Sequence, residues 1–234
     1  MMIDDTFLKT QHITQHFDAE LTHLHQKALK MMHLVLGQWE LAIESLETAN
    51  LELAVNVVAH ASDVYQCAST IDQVVMTILA RESPVAKDLR MVLSISKIAV
   101  ELRYLSDEIC EVARLILILY EPRSGITHAR LLTGIMTIFE DIRNVLANLA
   151  VVLGHLDSKQ ARVVLAYECV SGGDIQAGIA QQLAFINNDP RHIKPALIVL
   201  QIMKSLESSS DHCKDLAQYC ILMIDGEDLR HNTR

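Results

Sequence analysis

Apolar residues recur every three or four positions along most of this chain, with polar residues between them, the spacing that turns one stripe of an α-helix toward a core. Over residues 14–47 the stripe runs Phe17, Leu21, Leu24, Ala28, Met31, Val35, Ala42 and Leu46, with Trp39 on the same face and bound for the core. A second helix is predicted over residues 51–81 through Leu53, Val57, Val64, Ala68, Ile71, Val75 and Ile78, and a third over residues 85–120 through Val92, Ile95, Ala99, Leu102, Ile109, Ala113 and Ile116. Between them Ser83 is placed to cap and Pro84 to occupy a first helical turn. These helices are expected to be roughly 45 to 50 Å long.

Glu121-Pro122-Arg123-Ser124-Gly125 breaks the pattern near the midpoint. A fourth helix follows over residues 129–153, on Leu132, Ile135, Phe139, Ile142, Leu146 and Leu149. A fifth is expected over residues 158–186, interrupted at Gly172-Gly173, where each glycine weakens a helix interior by about 1 kcal/mol relative to alanine. The sixth follows Asp189-Pro190 and runs to about residue 224. Moving the third helix by 104 positions lays Ile95, Ala99, Leu102, Ser106, Ile109 and Ala113 on Val199, Met203, Leu206, Ser210, Cys213 and Ala217, and Asp107 on Asp211. The expected fold is therefore all-α: two tandem, pseudo-symmetric three-helix bundles, residues 1–121 and 126–234.

Composition narrows the function. With 29 acidic against 20 basic residues the formal charge is −9, and no Lys/Arg run offers a nucleic-acid surface. The acidic amino terminus lacks a secretory pattern, so a cytoplasmic location is expected. The most apolar stretch, Val112 to Tyr120, is too short to span a bilayer. The five cysteines have no C-x-x-C spacing and read as packing residues; Cys213 and Cys220, two turns apart, are too distant for a disulfide.

Three blocks carry a family resemblance: HITQHFDAELTHLHQKALKMMHLVLGQWELAI at residues 12–43, PVAKDLRMVLSISKIAVELRYLSDEICEVA at residues 84–113, and KSLESSSDHCKDLAQYCILMIDGEDLRH at residues 204–231. They resemble, in turn, the opening helix of the PhoU family, its P-x-A-x-D-L-R segment with a first E-R-I-G-D signature, and its second E-R-I-G-D segment with a G-x-D-x-R-H ending. The resemblance implies a non-enzymatic regulator, often a homodimer, that links the ATPase of the phosphate ABC transporter, PstB, to the sensor histidine kinase PhoR. It would hold the phosphate-starvation response off when phosphate is plentiful and reach the membrane only through the transporter. Pro84, Asp88, Leu89 and Arg90, in the best-matched block, are the candidate partner contacts.

Many PhoU proteins also bind metal clusters through E-x-x-x-D pairs, whose carboxylates share a helix face and can reach one hard cation. Here Glu207 and Asp211 keep the pair, but the first half has Arg103 and Asp107. The family's acidic positions before Ile71-Asp72 fall on Tyr65 and Ala68, and another falls on Gly173, with Asp174 out of register. Glu207, Asp211 and Asp107 are thus expected to form at most a residual, weak divalent site (Zn, Fe, Mn or Mg), with an Arg103–Asp107 ion pair the competing arrangement. The alternative class is a metal-dependent helical-bundle protein or enzyme with a carboxylate site. His12-x-x-x-His16 and Glu20-x-x-His23 have metal-compatible spacing but lack the remaining ligands in sequence. Ser106 and Ser210 read as small residues permitting close helix approach, not as nucleophiles.

Overall fold

The structure, a computed structural model, describes residues 5–120, 132 and 134–229, with side chains from residue 16 except that of Pro190. Its elements are α1 (Asp5–Thr48), α2 (Leu51–Glu82), α3 (Ala86–Leu119), α4 (Ile135–His155), α5 (Ser158–Ala166), α6 (Gly172–Asn188) and α7 (Ile193–Asp225), with a 3-10 turn at Pro190–His192 before the last. The midpoint break at residues 121–125 and the predicted helix start at residue 129 lie outside the described residues.

Helices α1, α2 and α3 pack on one another, and α7 packs on α4, α5 and α6. The α1–α2 connection is two residues long, so the helices are antiparallel. Asn50 makes that turn by accepting from the Glu52 amide at 3.1 Å while its carbonyl accepts from Ser45 Oγ at 2.8 Å. The two groups share one hydrophobic core, because α3 lies along α7 and α1 against α4. Trp39, fully buried as expected, meets Phe139 of α4 with ring centroids 5.8 Å apart, and His25 Nε2 is hydrogen-bonded to the Leu153 carbonyl at 2.7 Å. All six position pairs of the 104-residue offset, from Ile95/Val199 to Ala113/Ala217, are buried in both helices.

Two boundaries differ from expectation. The predicted fifth helix is interrupted, as expected, into α5 and α6, but the break lies at residues 167–171, before the glycines and not at them. Ser171 caps α6 in a reciprocal box: its hydroxyl accepts from the Asp174 amide at 3.2 Å, and the Asp174 carboxylate accepts from the Ser171 amide at 2.9 Å. Gly172 and Gly173 therefore open a helix, where their backbone freedom costs little, and the turn before them buries Cys169 and Val170 in the core. At the α2–α3 junction Ser83 does not cap α3. It ends α2 in the left-handed region (φ 46°), and Val85, extended and without a side-chain cap, precedes α3, leaving Pro84 between the helices.

Candidate functional site

Buried Ser106 on α3 helps to hold three helices together. Ser106 Oγ donates to Gln38 Oε1 at 2.8 Å, and Gln38 Nε2 donates to the Val57 carbonyl at 3.0 Å, so one network joins α1, α2 and α3. Such a satisfied network gives the serine a structural partner and no base. The five cysteines are free, four of them buried. Burial pushes the Cys220 thiol up to about 12, which removes its thiolate at neutral pH.

The predicted carboxylates are separately engaged. Asp107 accepts a hydrogen bond from the Tyr65 hydroxyl of α2, which raises the tyrosine's pKa. Glu207 pairs with Lys204 at 2.8 Å and Asp211 with Lys214 at 3.4 Å, each one turn away on α7. Among the described residues no ion pair joins Arg103 to Asp107; the guanidinium lies over the Tyr104 ring, 5.4 Å from its centroid. This set does not fit a multinuclear metal cluster. Around Asp107 the neighbours are a phenol and a cation where bridging needs carboxylates, and a cation cannot ligate a cation. Asp174, out of register for such a site, is occupied in the α6 cap. Another tyrosine hydroxyl, that of Tyr167, bonds Asp141 on α4 and raises the tyrosine's pKa in the same way.

Periodicity gave no sign of a pair between α3 and α7. His212 Nδ1 donates to Glu101 Oε2 at 2.8 Å, with Glu101 buried and the Tyr104 ring stacked on the imidazole, centroids 5.1 Å apart. The hydrogen bond to Glu101, above all, raises the His212 pKa against the opposing effect of burial.

The candidate partner residues lie where α3 begins. Val85 is 73% exposed, whereas Pro84, Asp88, Leu89 and Arg90 are half-buried. Arg90 crosses to the end of α7, where its Nε donates to the Met223 carbonyl at 3.5 Å. It lies so close to Gly226 that a β-carbon there would sit 2.5 Å from Arg90 Nη1. Arg162 of α5 holds the same stretch through Asp225 (3.0 Å) and Glu227 (2.6 Å). The P-x-A-x-D-L-R segment and the glycine of the carboxy-terminal motif are thus spatial neighbours. Beside them Ala86, Leu89, Arg90, Leu93, Ser94, Lys97 and Leu222 line a shallow groove of about 310 Å³. No helix among the described residues is long and apolar enough to cross a membrane.

The scaffold is two helical groups whose described polar residues mainly brace helices, with an accessible groove at the start of α3, and the relatives it resembles are accessory proteins. Residues 28–116 match the PhoU domain model. The phosphate-specific transport system accessory protein PhoU homolog of Pseudomonas putida is 30% identical over 222 residues, covering 95% of this chain and 86% of that one. The accessory protein PhoU of Escherichia coli strain K12 is 24% identical, covering 97% and 92%. The crystal structure of PhoU from Pseudomonas aeruginosa superposes with a TM-score of 0.82 at 27% identity over 90% of this chain and all of that one, and that of the Streptococcus pneumoniae phosphate transport system regulatory protein PhoU with 0.79 at 21%. The chain belongs to the PhoU family, a family of accessory proteins and not of enzymes.

Proposed function

We propose that this chain regulates phosphate uptake and restrains the phosphate-starvation response as a cytoplasmic, homodimeric adaptor between a PstB-like transporter ATPase and a PhoR-like histidine kinase. The observation that carries the reading is the likeness to phosphate-transport accessory proteins over 95% of the chain. The groove at the start of α3 supports it: exposed Leu93 and half-buried Leu89 offer apolar anchors, while Lys97 adds a positive charge to the lining. Arg90 shapes this surface from behind, through Met223 and Gly226, more than it projects to a partner. Glu207 and Asp211, once released from their lysines, form at most a weak divalent site, so adaptor activity rests on protein contacts.

The test is retention of purified PstB-like ATPase and PhoR-like kinase on the immobilised chain, with and without nucleotide and phosphate. Retention of both is expected, with Leu89→Asp weakening it at least tenfold while far-UV circular dichroism stays unchanged. Glu207→Ala with Asp211→Ala should leave it within about twofold. Failure of the wild-type chain to retain either partner under every condition refutes the adaptor.

A further inference from the structure

Because α1 and α2 are antiparallel, the amino-terminal part of α1 meets the carboxy-terminal end of α2. There His16, Glu20 and Glu82 converge, one ligand atom from each lying within 4.8 Å of the other two. His16 and Glu20 are four residues apart and share a helix face, with Nδ1 3.9 Å from Glu20 Oε1. The second Glu20 oxygen, Oε2, is shut off from solvent with no hydrogen-bond partner among the described residues. A buried carboxylate oxygen left in that state is costly, and a bound cation would satisfy it. Glu82 is the last residue of α2, where the helix dipole also favours positive charge. A cleft of about 280 Å³, lined by His16, Ala19, Glu20, His23, Val74 and Thr77, opens onto the group.

We propose that His16, Glu20 and Glu82 form a mononuclear site for a first-row divalent transition metal, zinc in the first instance, which clasps α1 to α2. One imidazole nitrogen with two carboxylates suits zinc, manganese or iron better than calcium or magnesium, which take oxygen alone. Metal–ligand bonds of about 2.0–2.2 Å bring ligand atoms to about 3–3.5 Å from one another. Closing from 4.8 Å needs side-chain rotation only, and His16 is exposed and Glu82 long enough to supply it. Water from the cleft, or His23 on its wall, completes the coordination. The site is separate from Asp107, Glu207 and Asp211 and does not depend on them.

The experiment is zinc titration of the untagged, full-length, metal-stripped chain against a chromophoric chelator, with circular dichroism confirming the fold of each variant. One zinc per wild-type chain is expected, undisturbed by millimolar magnesium. His16→Ala, Glu20→Gln and Glu82→Gln should each weaken it at least tenfold, and exposed His60→Ala should not. At a hundredfold excess over Kd, zinc should raise the wild-type Tm by about 5–10 °C and leave Glu20→Gln unmoved. Were His16 and Glu20 the whole of a zinc site, without Glu82, Glu82→Gln would bind zinc like the wild type. That result, the absence of stoichiometric zinc, or loss of the zinc with Glu207→Gln/Asp211→Asn instead would overturn the site.

Discussion

Gly226→Ala probes the junction where the carboxy-terminal motif meets the start of α3. Gly226 ends α7 at φ 80°, in the left-handed region, with its amide bonded to the Leu222 carbonyl at 3.0 Å. An alanine there costs about 1–2 kcal/mol in backbone strain. Its β-carbon would also sit 2.5 Å from Arg90 Nη1 and 2.9 Å from Cζ, which forces the guanidinium aside. The displaced group is the far end of a flexible side chain, so the clash itself relaxes cheaply. What is lost is the bond to the Met223 carbonyl, which at 3.5 Å is long and is taken at about 1 kcal/mol, below the usual range for a charged donor. The sum is about 2–3 kcal/mol, or a Tm fall of about 4–12 °C for a chain of this size. Arg90→Ala alone should cost about 1 kcal/mol, for the bond only. Since Gly226→Ala already breaks that bond, the double variant should fall short of additivity by about 1 kcal/mol. Urea unfolding followed by circular dichroism measures the cycle. Additivity within about 0.3 kcal/mol would refute the claim that the two motifs act on one another.

Two further outcomes follow from the polar contacts. The folded His212 pKa is raised above its ordinary 6.5, so the stabilisation it receives from Glu101 is complete below 6.5 and is lost as pH rises through the folded value. The groups facing it are Glu101, Tyr104, Glu108 and Asp215. Glu101→Gln should therefore lower the urea midpoint by an amount that shrinks as pH rises through the folded His212 value, and a loss that stays constant from pH 5 to pH 10 would refute the charged pair. Ser171→Ala removes one arm of the α6 cap and should cost about 1 kcal/mol; hydrogen exchange should show faster opening of the first turn of α6, and unchanged protection there would mean the glycines, not the cap, set that boundary.

The core stripes were legible because burial repeats with the helical period, and the 104-residue offset survives in three dimensions because packing constrains the same positions twice. What the stripes meet was not legible. Trp39 reads as a core residue from its spacing, but nothing in a period of 3.6 says that its neighbour is Phe139, a hundred positions away. The α5–α6 break was visible as glycine and misplaced for that reason. Ser171 and Asp174, three residues apart, carry the capping signature that fixes it.

Polar positions were harder still, because a side chain's role depends on what lies opposite, and that is set by interhelical register. Tyr65 reads as a missing ligand, and its hydroxyl lands on Asp107. Arg90 reads as a partner contact, and its guanidinium lies on the end of α7. Glu101 and His212 carry no mutual signal in a sequence that separates them by 111 positions, and Glu82 joins His16 and Glu20 only because α1 and α2 run antiparallel. The two halves consequently share a core while their polar faces differ. Methyl-sized complementarity holds Ile95 and Val199 to one buried role, whereas the half-buried flank of the helix holds Arg103, against the Tyr104 ring, where its counterpart is Glu207, paired with Lys204. That independence of surface from core is why the apolar stripes predict the scaffold but not which groups its polar positions bring together.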